Sequence, residues 1–283
     1  MSINDMLLVL AAVLPAFVLC RYVYKMDKVE KEPKWLLGLL FFFGVISCFP
    51  AAQLEEMAYS VINGVFNLLF GMGLPSEGLE LLYNAVTYFI GVALIEEGVK
   101  WLCLVGVTKK NKHLNCFFDG LIYAVFVSLG FAAFENILYV LEYGWWNAFM
   151  RAILSVPGHM FFSVMMGYYY SRWMIIKKAR ETEIILSAEG VIEERTSPVF
   201  DYKKEKLKSI LIPVLFHGTY NFCCSADSLL FTVIFYAFVG FMYVHCFGKI
   251  KSMSSMDTPN GEKIIKLLTE KYPELYKKPV GAE

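Results

Sequence analysis

Seven long apolar segments dominate this sequence and leave few architectures open to it. A helix crosses the hydrocarbon core of a bilayer in roughly 20 apolar residues, and the third and fifth segments are long enough to cross it with a tilt. The chain is 57% hydrophobic and 18% charged, whereas a soluble domain carries about 25% charge. The pattern predicts an all-α, polytopic membrane helix bundle. The predicted spans are residues 5–22, 35–53, 82–107, 117–141, 147–174, 208–223 and 229–248.

The lysines and arginines predict how these spans are oriented. Basic clusters follow the first, third, fifth and seventh spans, and the intervening loops at 54–81, 142–146 and 224–228 contain no Lys or Arg. Basic loops are retained in the cytoplasm. We therefore expect a multi-pass protein of the plasma membrane, with its N-terminus outside and its C-terminus in the cytoplasm.

The chain between and beyond the spans is too short to hold a soluble domain. Residues 57–75 are uncharged but collect their polar side chains on one helical face, which predicts an interfacial or re-entrant amphipathic helix in the outer leaflet rather than another span. We expect one membrane-embedded domain at 1–250, with a cytoplasmic loop at 175–207. Residues 251–283 are expected to form a cytoplasmic tail with a surface helix at 261–272.

Ionisable residues inside the apolar spans are the main functional signal. A charge at the bilayer centre costs at least about 2.5–3.5 kcal/mol, so such residues indicate a functional site. Glu96 and Glu97 lie near the middle of the third span, and Lys100 follows one turn later on the face of Glu96. Either Lys100 neutralises one carboxylate while the other acts as a base or ligand, or the charges only lock a helix interface.

The next three spans add further polar side chains. Glu135 lies in the fourth span, one turn before Tyr139, and a hydrogen bond between the two is expected. His159 follows a Pro-Gly pair in the fifth span, where the proline should loosen the helix. His217 and Asn221 share one face of the sixth span. Since the glutamates and histidines lie at similar depths, one compact site can draw on spans three to six.

This set of side chains fits two kinds of hydrolytic chemistry. A carboxylate can take a proton from water while an amide or imidazolium holds the oxyanion. Alternatively, Glu97, His159 and His217 can hold one divalent metal such as zinc and leave a position open for water. The sequence contains no H-E-x-x-H motif and no paired membrane aspartates. Arg151, at the outer end of the fifth span, is expected only to snorkel toward the interface.

The order of these motifs resembles the PrsW family of bacterial membrane proteases, within a wider group that includes the type II CAAX-processing enzymes and a gamma-secretase scaffold subunit. The matching pieces are Glu96-Glu97-x-x-Lys100, Phe134-Glu135 with Tyr139, His159 after Pro-Gly, and His217-x-x-x-Asn221. The resemblance implies a site-1 protease of the bacterial membrane that cuts a single-pass anti-sigma factor. It also implies that Glu96, Glu97 and the histidines are required for activity.

The resemblance also bears on the wider group, because Leu138 stands where the CAAX-processing enzymes have a histidine. This difference argues against prenyl-protein processing. The catalytic set expected for the chain is Glu96, Glu97, Glu135, His159, His217 and Asn221, with Lys100 and Tyr139 in support.

Two other classes of function are compatible with the same residues. Buried glutamates and histidines also form the proton relays of transporters, although we find no internal repeat of the kind that pairs transporter halves. The same residues could instead stabilise helix packing in a non-enzymatic scaffold. A scaffold would lose folding or assembly on mutation, whereas an enzyme would lose turnover.

Overall fold

A computed structural model describes residues 2–73, 75–188 and 202–257, and almost all of these are helical. Helical backbone geometry continues without a break through Ser76–Val86, Thr87–Ala93 and Leu94–Thr108, of which the second is π-helical. The helices are α1 (Ile3–Met26), α2 (Lys34–Gly71), α3 (Ser76–Val86), the π-helical segment (Thr87–Ala93), α4 (Leu94–Thr108), α5 (Asp119–Ile153), α6 (Ser155–Ala188), α7 (Tyr202–Ser225) and α8 (Leu229–Ser255).

The predicted membrane helix bundle is confirmed. Within the part of the chain that the structure describes, four helical stretches are long and apolar enough to cross a bilayer: Ile3–Met26, Lys34–Gly71, Asp119–Lys178 and Leu229–Ser255. The third stretch contains α5 and most of α6. The count of seven spans goes beyond this finding and stays a prediction.

Helices α5 and α6 form the centre of the bundle. In an 18-residue apolar segment of the stretch that they form, 72% is buried inside the protein. The corresponding buried share is 28% for α1, 39% for α2 and 22% for α8. Helix α5 packs against α1, α2 and α6, and α6 packs in turn against α7. The outer helices therefore turn apolar faces outward, as a lipid environment allows, while α5 and α6 carry side chains that are shielded from it.

Helix α2 differs from the prediction at its C-terminal end. Residues 57–71 continue α2, which runs for 38 residues, about 57 Å at the usual helical rise. The amphipathic helix predicted separately at 57–75 is therefore wrong in its boundaries. Pro50 is accommodated inside α2, and no further proline interrupts the helix. The local sequence therefore gives α2 no reason to end at residue 53, where the predicted span ends. This C-terminal part packs against α3 through Ile62, Phe66 and Leu79.

The connection from α5 to α6 is made in two steps. Gly144 has φ 74° and ψ −161°, a backbone conformation that favours glycine, and it breaks α5 inside the loop predicted at 142–146. Residues 145–153 then form a short helical piece that a turn at Leu154 separates from α6. The span predicted at 147–174 is thus divided. Its proline, Pro157, lies in the first turn of α6, where no intrahelical hydrogen bond needs its missing N–H.

The loop and tail predicted in the cytoplasm are described only in part. Residues 175–188 continue α6 and residues 202–207 begin α7, so both ends of the predicted loop at 175–207 are helical. The surface helix predicted at 261–272 lies outside the described residues. The division into a membrane domain at 1–250 and a tail at 251–283 stays a prediction.

Two carboxyl groups are almost wholly buried where α1 ends and α2 begins. Asp27 is 1% exposed and Glu32 is 3% exposed. Asp27 Oδ2 accepts the backbone N–H of Glu32 at 3.1 Å, and the Tyr123 hydroxyl donates to the Glu32 carboxylate. Burial raises the pKa of Asp27 from 3.8 to about 6 and the pKa of Glu32 from 4.5 to about 7.

We expect the detergent-solubilised protein to lose stability as the pH rises from about 5 to about 8. Both folded-state pKa values lie above their ordinary values, so this stabilisation is complete in acid and is lost as pH rises through about 6 to about 7. Each pKa unit corresponds to about 1.4 kcal/mol. The unfolding temperature at a series of pH values measures the effect.

Glu32→Gln should weaken this pH dependence, because its side chain stays neutral throughout the range. Glu77→Gln is the matched control, since Glu77 is an exposed helical glutamate. Equal pH dependence in the wild-type protein and both variants would contradict the role given to Glu32.

Candidate active site

The helices that carry the predicted polar residues surround one cavity of about 670 Å³. This volume is typical of ligand-binding and active sites. Its walls come from α2, the π-helical segment, α4, α5, α6 and α7. The predicted site residues that line it are Glu96, Glu135, Tyr139, His159, His217 and Asn221. Glu97 and Lys100 are 0% and 1% exposed and lie behind this lining.

Lys100 links three of the predicted residues. Its Nζ donates to Glu96 Oε2 at 2.9 Å and to Glu97 Oε1 at 2.9 Å, and lies 3.2 Å from His159 Nδ1. The pairing of Lys100 with Glu96 is confirmed, but Lys100 contacts both carboxylates rather than one. The centroid of the Phe131 ring lies 4.0 Å from Nζ, so the ammonium also has a cation–π partner.

Glu97 also binds His217. The distance from His217 Nδ1 to Glu97 Oε1 is 3.0 Å, and since a carboxylate only accepts hydrogen bonds, Nδ1 carries the proton. The His217 ring stacks on Phe162, with centroids 4.7 Å apart. A neutral ring held in this way keeps a lone pair on Nε2. Because His217 lines the cavity, Glu97 fixes the tautomer of an imidazole in the cavity wall.

A second chain of contacts centres on Glu135. Glu135 Oε2 lies 2.9 Å from His159 Nε2 and 3.0 Å from a terminal nitrogen of Arg151. Arg151 Nε donates to Asn136 Oδ1 at 2.8 Å. Both ring nitrogens of His159 are therefore engaged, one with Glu135 and the other with Lys100. The charged groups form one network from Arg151 to His217.

Two expectations about individual side chains are corrected here. Arg151 does not snorkel outward but pairs with Glu135, and its side chain is only 13% exposed. Tyr139 makes no hydrogen bond to Glu135; its ring lies 4.1 Å from the centre of the Arg151 guanidinium. The reason is that residues 145–153 fold back over the cavity, which brings Arg151 within reach of both. Arg151 reaches Glu135 from 16 residues along the chain, a separation that no helical periodicity predicts.

The backbone around the network explains how these side chains meet. The π-helical segment ends at Ala93, directly before the turn that carries Glu96 and Glu97; such segments are frequent at functional sites. Helix α7 approaches it closely at Gly218, where a Cβ would lie 2.4 Å from the Phe89 ring. This close approach brings the neighbouring His217 to Glu97.

Glu55 is a cavity residue that the sequence analysis missed. It lines the main cavity and also a shallower groove of about 330 Å³ between α2 and the π-helical segment. Its carboxylate makes no ion pair or hydrogen bond with the other described residues. Glu55 was assigned to an outer loop at 54–81, so its side chain was not considered. Its spacing from Cys48 and Ala52, which line the same cavity, follows one helical face and could have signalled its position.

Three of the residues could hold a metal ion. Among the described residues, Glu96, Glu97 and His159 form the one group whose ligand atoms all lie within 4.8 Å of one another. Two carboxylates and an imidazole are a donor set that suits zinc, and the buried Glu97 Oε2 has no hydrogen-bond partner. Of the ligands expected from the sequence, this group contains Glu97 and His159, with Glu96 in place of His217.

Comparison with known proteins decides the family. Residues 32–246 match the model of a family described as the PrsW family of intramembrane metalloproteases. The chain belongs to this family. It is therefore a membrane-embedded hydrolase of peptide bonds, as the resemblance implied. Membership of the PrsW family favours an enzyme over a transporter or a scaffold. A membrane protease implies a substrate in the membrane and a surrounding lipid bilayer.

Several PrsW proteins are similar to this chain over most of their length. Protease PrsW of Oceanobacillus iheyensis is 30% identical over 242 residues, which cover 85% of this chain and 93% of that protein. Protease PrsW of Geobacillus kaustophilus is 34% identical over 173 residues, 61% of this chain and 69% of that protein. Protease PrsW of Bacillus subtilis is 29% identical over 224 residues, with coverages of 77% and 83%. No solved structure matches the chain.

Proposed function

We propose that the chain hydrolyses a peptide bond in a single-pass membrane protein, an anti-sigma factor, with a water molecule activated by Glu96. The observation that carries this proposal is a carboxylate in the cavity wall with a buried ammonium behind it, the Glu96–Lys100 pair at 2.9 Å. A carboxylate that lines the cavity can accept a proton from water, as a general base must. The identity of the substrate as an anti-sigma factor rests on the family resemblance alone.

The proposed reaction leaves the charge of the enzyme unchanged. Glu96 takes one proton from water, and the water oxygen adds to the carbonyl carbon of the substrate. The Asn221 amide, which makes no hydrogen bond to another described residue, donates to the oxyanion that forms. The C–N bond then breaks, and Glu96 passes its proton to the leaving nitrogen. The products are a carboxylic acid and an amine.

The other predicted residues position these groups. The Nε2 lone pair of His217 accepts the second hydrogen of the water, and Glu97 holds His217 in the required tautomer. Glu135 and His159 fix the outer side of the network, where Glu135 bridges His159 and Arg151. Tyr139 supports Arg151 through its ring. A divalent metal held by Glu96, Glu97 and His159 would supply a Lewis acid that polarises the carbonyl or the water.

We further propose that the cavity opens toward the outer half of a bacterial plasma membrane. The loops without lysine or arginine follow the outer ends of the predicted spans, which gives an outside N-terminus and a cytoplasmic C-terminus. Glu55 lies 21 residues after Lys34 in α2, about 32 Å along the helix. This distance is close to the roughly 30 Å thickness of the hydrocarbon core.

We expect His217→Ala to lower cleavage by about 100-fold or more, since it removes the group that orients the water. The measurement uses an epitope-tagged anti-sigma factor that is encoded in the same genome as this chain. The two proteins are co-expressed, and cleavage is followed by immunoblot. His245→Ala is the matched control: His245 lies in α8, stacked on Phe241, outside the cavity. Undiminished cleavage by His217→Ala would overturn the proposed role, and a wild-type protein that cleaves no such substrate would overturn the substrate assignment.

A further inference from the structure

The ammonium of Lys100 occupies an unusual position in the candidate site. The group that could hold a metal consists of Glu96, Glu97 and His159. The Lys100 Nζ lies at 2.9, 2.9 and 3.2 Å from the facing atoms of these three residues. One cation, the ammonium, is therefore already surrounded by the donors that a divalent ion would use.

The coordination of this ammonium is complete. A lysine ammonium has three hydrogen-bond donors, and here three acceptors face them. The Phe131 ring lies 4.0 Å away, and the Lys100 side chain is 1% exposed. No water is needed to satisfy the charge. The ammonium therefore occupies the centre of the donor group and does not merely contact its edge.

A metal ion cannot share this position with the ammonium. Zinc binds carboxylate oxygens and imidazole nitrogens at about 2.0–2.2 Å, so the three donors would have to close in on the point where Nζ now lies. Two positive charges about 3 Å apart in a buried site also repel strongly. The two carboxylates, with a combined charge of −2, would be neutralised by a divalent ion once Lys100 had left.

We propose that Lys100 is the resident cation of the PrsW-type site in this chain, and that a divalent metal of the zinc class binds to Glu96, Glu97 and His159 only in exchange for its ammonium. Glu97 Oε2 supports the metal-binding part of this proposal, since it is buried without a hydrogen-bond partner and is available as a ligand. The inference rests on the proposed function for its meaning, but its test reads metal binding and not cleavage.

The test compares the wild-type protein with Lys100→Ala in detergent, with Co²⁺ as the probe. We expect Lys100→Ala to bind one Co²⁺ per chain at least about 100-fold more tightly than the wild-type protein, because the competing charge is gone. The visible absorption of ligated Co²⁺ and metal analysis after gel filtration measure the binding. The double variant Lys100→Ala with His159→Ala lacks a ligand and should lose the absorption. Lys208→Ala, a lysine outside the cavity, should bind Co²⁺ as weakly as the wild-type protein.

A second measurement covers the case in which Lys100→Ala is unstable without metal. Zn²⁺ should then raise the unfolding temperature of Lys100→Ala and leave that of the wild-type protein unchanged. If the variant does not fold with or without metal, the metal content of the wild-type protein is measured instead. Less than one metal ion per chain after purification in zinc-containing buffer supports the proposal. One tightly bound metal in the wild-type protein that His159→Ala removes would overturn it, as would equal Co²⁺ affinity in the wild-type protein and Lys100→Ala. Because cleavage is not measured, the protease proposal can fail while this one stands.

Discussion

Glu96→Gln is expected to reduce cleavage of the membrane substrate by about 10²- to 10⁴-fold, the usual contribution of a general base. Glutamine has nearly the shape of glutamate but cannot accept the proton of the attacking water. Its amide oxygen can still accept a hydrogen bond from Lys100, so the helix packing around residue 96 is retained. Cleavage in membranes and the unfolding temperature in detergent should be measured on the same preparations.

The matched control for this variant is Glu80→Gln, at an exposed position of α3. It should cleave the substrate as the wild-type protein does. If Glu96→Gln also kept full activity, Glu96 could not be the base, and the water would have to be activated elsewhere in the cavity. If the variant lost its activity together with its unfolding transition, the defect would be structural.

Glu97→Ala should have its main effect on stability. Glu97 is 0% exposed and its Oε1 receives hydrogen bonds from both Lys100 and His217, at 2.9 and 3.0 Å. Removing one partner of a buried ion pair costs about 3–5 kcal/mol, because the remaining charge is left in a poor environment. We expect the unfolding temperature to fall by roughly 10 °C. Thermal unfolding of the detergent-solubilised variant measures this change.

Glu80→Ala is the control for the stability measurement, since it removes an exposed helical glutamate and should change the unfolding temperature little. An unfolding temperature for Glu97→Ala equal to that of the wild-type protein would contradict the structural role of Glu97. Together, the variants at 96 and 97 test whether two adjacent glutamates divide their tasks. Glu96 faces the cavity, whereas Glu97 lies behind its wall and binds both Lys100 and the cavity-lining His217.

Much of the site could be predicted from local patterns. The i,i+4 spacing of Glu96 and Lys100 placed them on one face of a helix, and the ion pair forms. His217 and Asn221, spaced in the same way, line the same cavity. These successes have a common reason: the contacts or faces concerned lie within one helix, where the period of 3.6 residues fixes which side chains are neighbours.

The errors concern contacts between helices or the places where helices end. Tyr139 was paired with Glu135 because both lie on one face of α5, but Arg151 reaches in from the folded-back piece at 145–153 and lies over the Tyr139 ring. Glu55 was assigned to a loop because the predicted span ended at residue 53, near the bilayer thickness, whereas α2 continues to Gly71. Both errors follow from tertiary packing, which can extend a helix or bring a distant side chain into a local pair.

The buried charges themselves were determined by the sequence alone. An apolar chain of this length must form membrane helices, and Glu96, Glu97, Glu135, His159 and His217 must then lie among them at a cost that only mutual pairing can offset. The tertiary structure decided how they pair. Whether Lys100 meets one carboxylate or two, and whether it also meets His159, depends on how α4, α5, α6 and α7 approach one another. These contacts join residues up to 120 positions apart, and no local period encodes them.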